Sequence, residues 1–165
     1  MKILVCGLPG SGKTWLAERL VKHINNCAWY NADMLRKYSN DWDFSMEGRI
    51  RQANRMKTFA DFERSNGRWV ICDFVAPTNK AREAFGPDFV IWLDTIEQGR
   101  IVLSKLSELK NIKNLPFDAS SLFKSKEFKD TNKMFEQPNK IDKHITRFLS
   151  DEEIKNIANE IQSNV

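Results

Sequence analysis

The chain alternates short, continuously apolar runs with longer amphipathic stretches. The apolar runs, which predict strands, occupy residues 2–6, 27–30, 69–72 and 89–93. The amphipathic stretches, which repeat apolar side chains at helical spacing, occupy residues 13–25, 45–65 and 151–162. Strands without polar alternation are typical of parallel sheets that helices cover on both faces. The pattern therefore predicts an α/β fold, with Ser45 placed to cap the long helix that follows it.

Residues 101–135 break this pattern. Short apolar pieces alternate there with lysines, and no helical period persists: Lys105, Lys110, Lys113, Lys124, Lys126 and Lys129. We expect a basic lid over a site in this stretch. A helical hairpin with a solvated basic face is the alternative.

Composition limits the class of protein. A length of 165 residues predicts a single domain, residues 1–165. Apolar residues make up 41% of the chain and charged residues 29%, which supports a buried core and excludes a disordered or collagen-like chain. The excess of 26 basic over 22 acidic residues is mild and favours phosphate-bearing ligands over the coating of nucleic acid. The three cysteines show no CxxC spacing, so we expect a cytoplasmic protein. No apolar run reaches about 18 residues, so we expect no membrane partner.

Residues 7–14 carry the strongest chemical signal. The phosphate-binding pattern G-x-x-x-x-G-K-[ST] matches Gly7-Leu8-Pro9-Gly10-Ser11-Gly12-Lys13-Thr14, between a predicted strand and a predicted helix. In such loops, backbone N–H groups and the positive end of the helix bind phosphate oxygens. The lysine reaches the β- and γ-phosphates and the hydroxyl ligates Mg²⁺, which predicts these roles for Lys13 and Thr14 and predicts ATP and Mg²⁺ as cofactors.

Two acidic positions lie where predicted strands end. Asp33 and Arg36 follow the second strand, at the edge where open parallel sheets bind ligands. Asp33 can accept a proton from an attacking hydroxyl or hold Mg²⁺, or it can simply cap the helix that follows. Asp73 ends the third strand, where it is either a carboxylate of the metal site or a structural partner.

An aromatic ring and two guanidinium groups occur together at the start of the long helix. Phe44, Arg49 and Arg55 suit stacking on a base while clamping its phosphate. Taken alone, such residues more often belong to a core and a solvated helix face.

The order of these segments resembles the adenylyl-sulfate kinases, P-loop kinases that phosphorylate the 3′-hydroxyl of adenosine 5′-phosphosulfate with MgATP. The loop GLPGSGKT is similar to the family's GLSGSGKS/T, and residues 31–36 are similar to its DGDNVR. Phe44-Ser45 followed by Arg49 resembles F-S-x-x-D-R, with Gln52 where the family has Asn. Two further matches are residues 74–77 with Arg82, similar to F-I-S-P…R, and Phe128 with residues 134–138, similar to N-F-T-G…Y-E-A-P.

The resemblance implies a three-layer P-loop kinase fold and a role for each matching residue. Lys13 and Asp33 are implied as catalytic residues, Asp33 being the general base. Thr14 and Asp33 are implied at the metal, with Asp73 as an additional candidate. The implied substrate-binding residues include two guanidinium clamps and two rings that sandwich the adenine: Arg36, Phe44, Arg49, Gln52, Val75 and Phe128.

The chain also departs from the family pattern. Ala76 replaces a serine that some members phosphorylate, which excludes a phosphoenzyme at that position. Asn31 and Ala32 replace Asp and Gly, which removes one carboxylate near the metal. Between Arg100 and Phe128 the lysines have a different spacing from those of the family's lid.

The implied reaction is transfer of the ATP γ-phosphoryl group to the 3′-hydroxyl of adenosine 5′-phosphosulfate, as in sulfate assimilation. The alternative is a kinase of the same fold that acts on a polynucleotide 5′-hydroxyl or on a modified nucleotide or base. Nucleic acid would be a partner only under that alternative; otherwise the partner is a small nucleotide. A nucleotide-gated switch without catalysis is a third class, against which Asp33 argues. A homodimer is left open.

Overall fold

Five parallel strands form one sheet in the part of the chain that is described. The computed structural model describes residues 1–96 and 126–164, giving only the backbone for 126–128. The strands are β1 (Lys2–Gly7), β2 (Cys27–Asn31), β3 (Trp69–Asp73), β4 (Phe89–Leu93) and β5 (Lys143–Ile145). Their order is β2-β3-β1-β4-β5, and every neighbouring pair is parallel. The carboxyl end of β1 therefore lies between those of β3 and β4.

Helices cover both faces of this sheet. They are α1 (Lys13–Leu20), α2 (Ala32–Ser39), α3 (Met46–Ser65), α4 (Asn79–Phe85), α5 (Lys126–Met134) and α6 (Asp151–Ser163). Alternate residues of β1 point to opposite faces. Ile3 and Val5 join the core under α1 and α6, while Leu4 and Cys6 join the core under α2, α3 and α4. The predicted three-layer α/β architecture is confirmed.

Side-chain caps set where several helices begin. Ser45, as predicted, caps α3 by accepting from the backbone N–H of Gly48 at 3.2 Å. Thr78 and Ser150 cap α4 and α6 in the same way. Each cap satisfies one of the N–H groups that a helix leaves unpaired at its start.

Several predicted elements differ from the observed ones. The helix predicted over 13–25 ends at Leu20 and continues as a 3₁₀ turn, Val21–His23, because Ile24 is extended. The short elements α4 and β5 were not predicted, and α2 was considered only as a helix that Asp33 could cap. In the predicted lid, residues 126–134 form a helix although the sequence shows no sustained period there, and residues 101–125 lie outside the described residues. Within the described ranges, no helix has the length and apolar character needed to cross a membrane.

Candidate active site

The loop from Gly7 to Thr14 joins the central strand β1 to α1. A Cβ atom on Gly7 would lie 2.5 Å from the Leu93 carbonyl oxygen, so β4 passes too close for any side chain there. Gly12 has a φ of 97°, which favours glycine, and a Cβ there would lie 3.3 Å from the Phe148 ring. The loop therefore turns tightly at the carboxyl edge of the sheet and places the N-terminus of α1 beneath it. This is the backbone arrangement that binds phosphate groups.

The side chain of Lys13 folds back onto this loop. Its Nζ donates to the Leu8 carbonyl at 2.9 Å. Burial lowers the pKa of the Lys13 ammonium, while the nearby carboxylates of Asp73 and Asp33 oppose that shift. A partly desolvated ammonium held this way gains from the charge of an incoming phosphate, because the phosphate restores the electrostatic stabilisation that burial removes.

Asp73 is the centre of a hydrogen-bonded group that links three elements. Its Oδ2 accepts from Asn31 Nδ2 at 2.8 Å and from Thr14 Oγ1 at 3.0 Å, and its Oδ1 accepts from Trp29 Nε1 at 2.7 Å. Asn31 Nδ2 also lies 3.0 Å from Thr14 Oγ1. The side chain of Asp73 is 1% exposed. Thus β2, β3 and the phosphate-binding loop meet at one buried carboxyl group.

Burial raises the pKa of Asp73 to about 6, although the donated hydrogen bonds and the charge of Lys13 act in the opposite direction. A group titrating near neutrality is sensitive to any cation that enters beside it. The Thr14 hydroxyl and the Asp73 carboxylate are oxygen donors of the kind that Mg²⁺ prefers. No cluster of three or more His, Cys, Asp or Glu side chains in the described residues could hold a metal, so water and phosphate oxygens would have to complete its shell.

Asp33 lies in the first turn of α2. Asn31, and not Asp33, caps this helix, since Asn31 Oδ1 accepts from the Met34 N–H at 2.9 Å. Asp33 is exposed, and within the described residues it makes no hydrogen bond or ion pair. It is close enough to raise the pKa values of Lys13 and Arg36 electrostatically. Its carboxylate therefore has no hydrogen-bonding partner among the described residues and lies within electrostatic range of Lys13 in the phosphate-binding loop.

The predicted guanidinium clamps have different surroundings. Arg36 is buried, donates to the carbonyls of Asp41 and Asp43 at 2.9 and 3.1 Å, and lies 4.4 Å from the Phe44 ring centroid. It holds the loop that carries Phe44. Arg49 is only partly buried and also lies over Phe44, at 5.8 Å from its centroid. Phe44 remains 37% exposed although both guanidinium groups lie over its ring.

Other predicted residues lie around this group. Gln52 is buried on α3 and donates to the Ala32 carbonyl at 2.9 Å, which joins α3 to the start of α2. Arg55 is paired with Asp41 at 3.0 Å. Val75 is half-buried just beyond β3. The side chain of Phe128, the second predicted adenine-stacking ring, lies outside the described residues.

A second network holds the loop after β3. Arg82 donates to the carbonyls of Pro77 and Glu136 at 3.1 and 2.6 Å, and to Asn79 Oδ1 at 2.7 Å. Glu136 Oε2 in turn accepts from the Asn79 N–H at 2.8 Å. The segment that follows α5 is thereby fastened to α4. Ala76, at the start of this loop, has a φ of 44°.

Two partners of the site were not predicted from the sequence. They are Trp29, which donates to Asp73, and Thr131, to which Arg49 donates at 3.0 Å. A signal for Trp29 exists, since Trp29 and Asn31 are two residues apart on one strand and so share a face. The sequence carries no comparable signal for Thr131, because 82 residues separate it from Arg49.

Comparisons with known proteins agree with this architecture. The family model described as an AAA domain matches residues 3–103. The probable adenylyl-sulfate kinase of Aeropyrum pernix is 35% identical over 89 residues, which cover 48% of this chain and 46% of that protein. The match therefore spans about half of that relative.

Two solved structures share the fold. A sugar kinase from Janibacter sp. HTCC2649, solved without ligand, has a TM-score of 0.68 at 17% identity and covers 98% of this chain and 94% of its own. The Mycobacterium tuberculosis APS kinase in complex with AMPPNP and APS has a TM-score of 0.61 at 21% identity, covering 98% and 95%. The predicted P-loop kinase fold is confirmed, as is the resemblance to adenylyl-sulfate kinases. The chain belongs to the AAA domain family and has a P-loop kinase fold that resembles that of the adenylyl-sulfate kinases.

Proposed function

We propose that this chain is a phosphotransferase that moves the γ-phosphoryl group of ATP to the 3′-hydroxyl of adenosine 5′-phosphosulfate, giving 3′-phosphoadenosine 5′-phosphosulfate. The observation that carries the choice of acceptor is the 35% identity to a probable adenylyl-sulfate kinase. The proposal is also supported by Asp33, an exposed carboxylate close enough to the phosphate-binding loop to raise the pKa of Lys13 electrostatically. Kinases of this fold act mainly by positioning and charge stabilisation, which is the chemistry these side chains supply.

The phosphate-binding loop and Lys13 hold the transferred group. Loop N–H groups and the Lys13 ammonium neutralise the charge that the three equatorial oxygens carry during transfer. Asp33 takes the proton that the acceptor hydroxyl loses as its oxygen bonds to phosphorus, while ADP leaves with the electron pair of the broken P–O bond. Each of these roles belongs to a side chain or loop at the same edge of the sheet.

A magnesium ion fits the oxygen donors of Thr14 and Asp73. Bound there, Mg²⁺ supplies positive charge against the β- and γ-phosphates. The structure shows Thr14 and Asp73 already 3.0 Å apart and shielded from solvent on the Asp73 side. Arg49 and the partly exposed ring of Phe44 are the groups proposed to bind the acceptor, by charge-assisted hydrogen bonding and by stacking on its adenine.

A coupled assay of ADP release at saturating MgATP tests this proposal. Adenosine 5′-phosphosulfate is compared with AMP, a 5′-hydroxyl oligonucleotide, a free sugar acid and no acceptor. We expect turnover with the phosphosulfate well above every other arm. Turnover confined to the oligonucleotide or to the sugar acid would overturn the acceptor but keep the phosphotransferase, and equal ADP release in all arms would overturn both.

A further inference from the structure

Trp29 reaches the phosphate-binding region from the strand at the sheet edge. β2 pairs with β3 in a register that sets Asn31 beside Asp73 and Trp29 beside Ile71. Trp29 and Asn31 share one face of β2, since they are two residues apart. The Trp29 ring packs on the core beneath α1 and α6, and its Nε1–H donates to Asp73 Oδ1 at 2.7 Å. A largely apolar side chain thus carries one polar atom to the buried carboxylate.

The two oxygens of Asp73 have separate partners. Oδ1 accepts the indole N–H, whereas Oδ2 accepts from Asn31 and from Thr14. Rotation of the carboxylate about its Cβ–Cγ bond would break the indole hydrogen bond, and little water can replace it because the side chain is 1% exposed. An unreplaced hydrogen bond to a buried charged group is costly. The indole therefore fixes the plane of the carboxylate and keeps Oδ2 facing Thr14.

This arrangement determines how the Thr14 hydroxyl is used. A hydroxyl has one hydrogen to donate and two lone pairs to accept with. The Thr14 hydrogen goes to Asp73, and one lone pair accepts from Asn31 Nδ2 at 3.0 Å. One lone pair is left, in a direction set by the other two bonds.

We propose that Trp29 is a positioning residue for metal-dependent nucleotide binding. Its N–H orients the Asp73 carboxylate, which orients the Thr14 hydroxyl so that its remaining lone pair is presented to the divalent cation accompanying the phosphates. Partners that orient a ligand group typically contribute about 10- to 100-fold to metal affinity. The inference rests on the nucleotide-binding part of the proposed function and is independent of the acceptor.

The test measures AMPPNP binding by calorimetry, with Mg²⁺ and with EDTA, in the wild type, Trp29→Phe and Trp69→Phe. Trp69 is the matched control, because it is half-buried against the same core and its indole makes no hydrogen bond within the described residues. We expect all three proteins to bind AMPPNP equally in EDTA. The tightening caused by Mg²⁺ should be the same in the wild type and Trp69→Phe, and smaller by about 10- to 100-fold in Trp29→Phe.

A second measurement covers the case in which Trp29→Phe fails to fold. The indole N–H signals of the wild type, assigned through bonds by NMR, are followed as Mg²⁺ is added to the AMPPNP complex. The Trp29 signal should move and the Trp69 signal should not. An unmoved Trp29 signal, or full Mg²⁺-dependent tightening in Trp29→Phe, would overturn the inference. A wild type with no Mg²⁺-dependent tightening would contradict the proposed function itself, and the inference with it.

Discussion

At the residue scale, the environment of Asp73 links folding stability to pH. Its pKa of about 6 in the folded chain lies above the ordinary value of 3.8, because burial disfavours the ionised form more than its hydrogen bonds favour it. The folded state therefore holds this proton more tightly than the unfolded state does. The resulting stabilisation is complete below pH 3.8 and is lost as the pH rises through about 6.

Asp73→Asn should remove this dependence. With one pKa unit worth about 1.4 kcal/mol, the free energy of unfolding of the wild type should fall relative to that of Asp73→Asn by up to about 3 kcal/mol between about pH 4 and pH 7. Urea unfolding of both proteins without Mg²⁺ across this range measures the difference, in which other titrating groups cancel. Parallel stability curves would contradict the raised pKa.

Unlike the buried and hydrogen-bonded Asp73, Asp33 is exposed and makes no hydrogen bond within the described residues. Asp33→Asn should lower kcat by about 100- to 10,000-fold, the usual contribution of a general base, while AMPPNP affinity with Mg²⁺ stays unchanged. The exposed carboxyl of Glu83 on α4 offers a control, and Glu83→Gln should keep full activity. If Asp33→Asn instead weakened Mg²⁺-dependent AMPPNP binding, Asp33 would belong to the metal site.

At the element scale, α3 begins against the loop that carries Phe44. Gly48 lies in the first turn, where a Cβ atom would overlap the Asp43 carbonyl oxygen. That oxygen also accepts from Arg36, and the Asp43 side chain accepts from the Ser45 N–H at 2.9 Å. The close approach of helix and loop therefore holds Phe44 beside the guanidinium groups of Arg36 and Arg49.

Gly48→Ala should consequently destabilise the protein, although Gly to Ala within a helix normally stabilises it by about 1 kcal/mol. Forcing the loop away from the added methyl group should cost about 1–3 kcal/mol in the free energy of unfolding, as overpacking does. Asn54→Ala, at an exposed position of the same helix, should be neutral or slightly stabilising. A Gly48→Ala protein more stable than the wild type would show that this contact is absent.

The elements that could be predicted are those with a strong local signal. Strands β1 to β4 coincide with continuous apolar runs, and α3 is long. Residues 7–14 match a known sequence motif. By contrast, β5 has three residues, Lys143–Ile145, of which two are polar, so pairing with β4 and not sequence makes it a strand. Helices α2 and α4 have eight and seven residues, too few for their periodicity to stand out.

At the scale of the whole molecule, the site is assembled from residues far apart in the chain. The phosphate-binding loop could be predicted because it is contiguous. The grouping of Trp29, Asn31 and Asp73 around Thr14 could not, because it depends on the strand order β2-β3-β1 and on register. The roles of Arg36 and Gln52 also depend on tertiary contacts, since both donate to backbone carbonyls of neighbouring segments.

Arg49 connects the segment that carries Phe44 to α5. Its Nε donates to the Phe44 carbonyl at 3.0 Å, and its guanidinium also reaches α5 through Thr131. Arg49→Ala should raise the KM for the acceptor by about 10- to 100-fold, the value of a lost charge-assisted hydrogen bond, and leave the KM for ATP within about twofold. Arg64→Ala, in the last turn of the same helix, is the control. Equal losses for both substrates would remove Arg49 from the acceptor site.

Product analysis identifies the phosphoryl acceptor most directly. The chain is incubated with MgATP and adenosine 5′-phosphosulfate, and the nucleotides are separated and identified by mass and by ³¹P NMR, with Asp33→Asn in parallel. We expect ADP and 3′-phosphoadenosine 5′-phosphosulfate in equal amounts from the wild type and almost none from Asp33→Asn. Unchanged adenosine 5′-phosphosulfate beside ADP and inorganic phosphate, or a phosphoryl group at any other position, would contradict it.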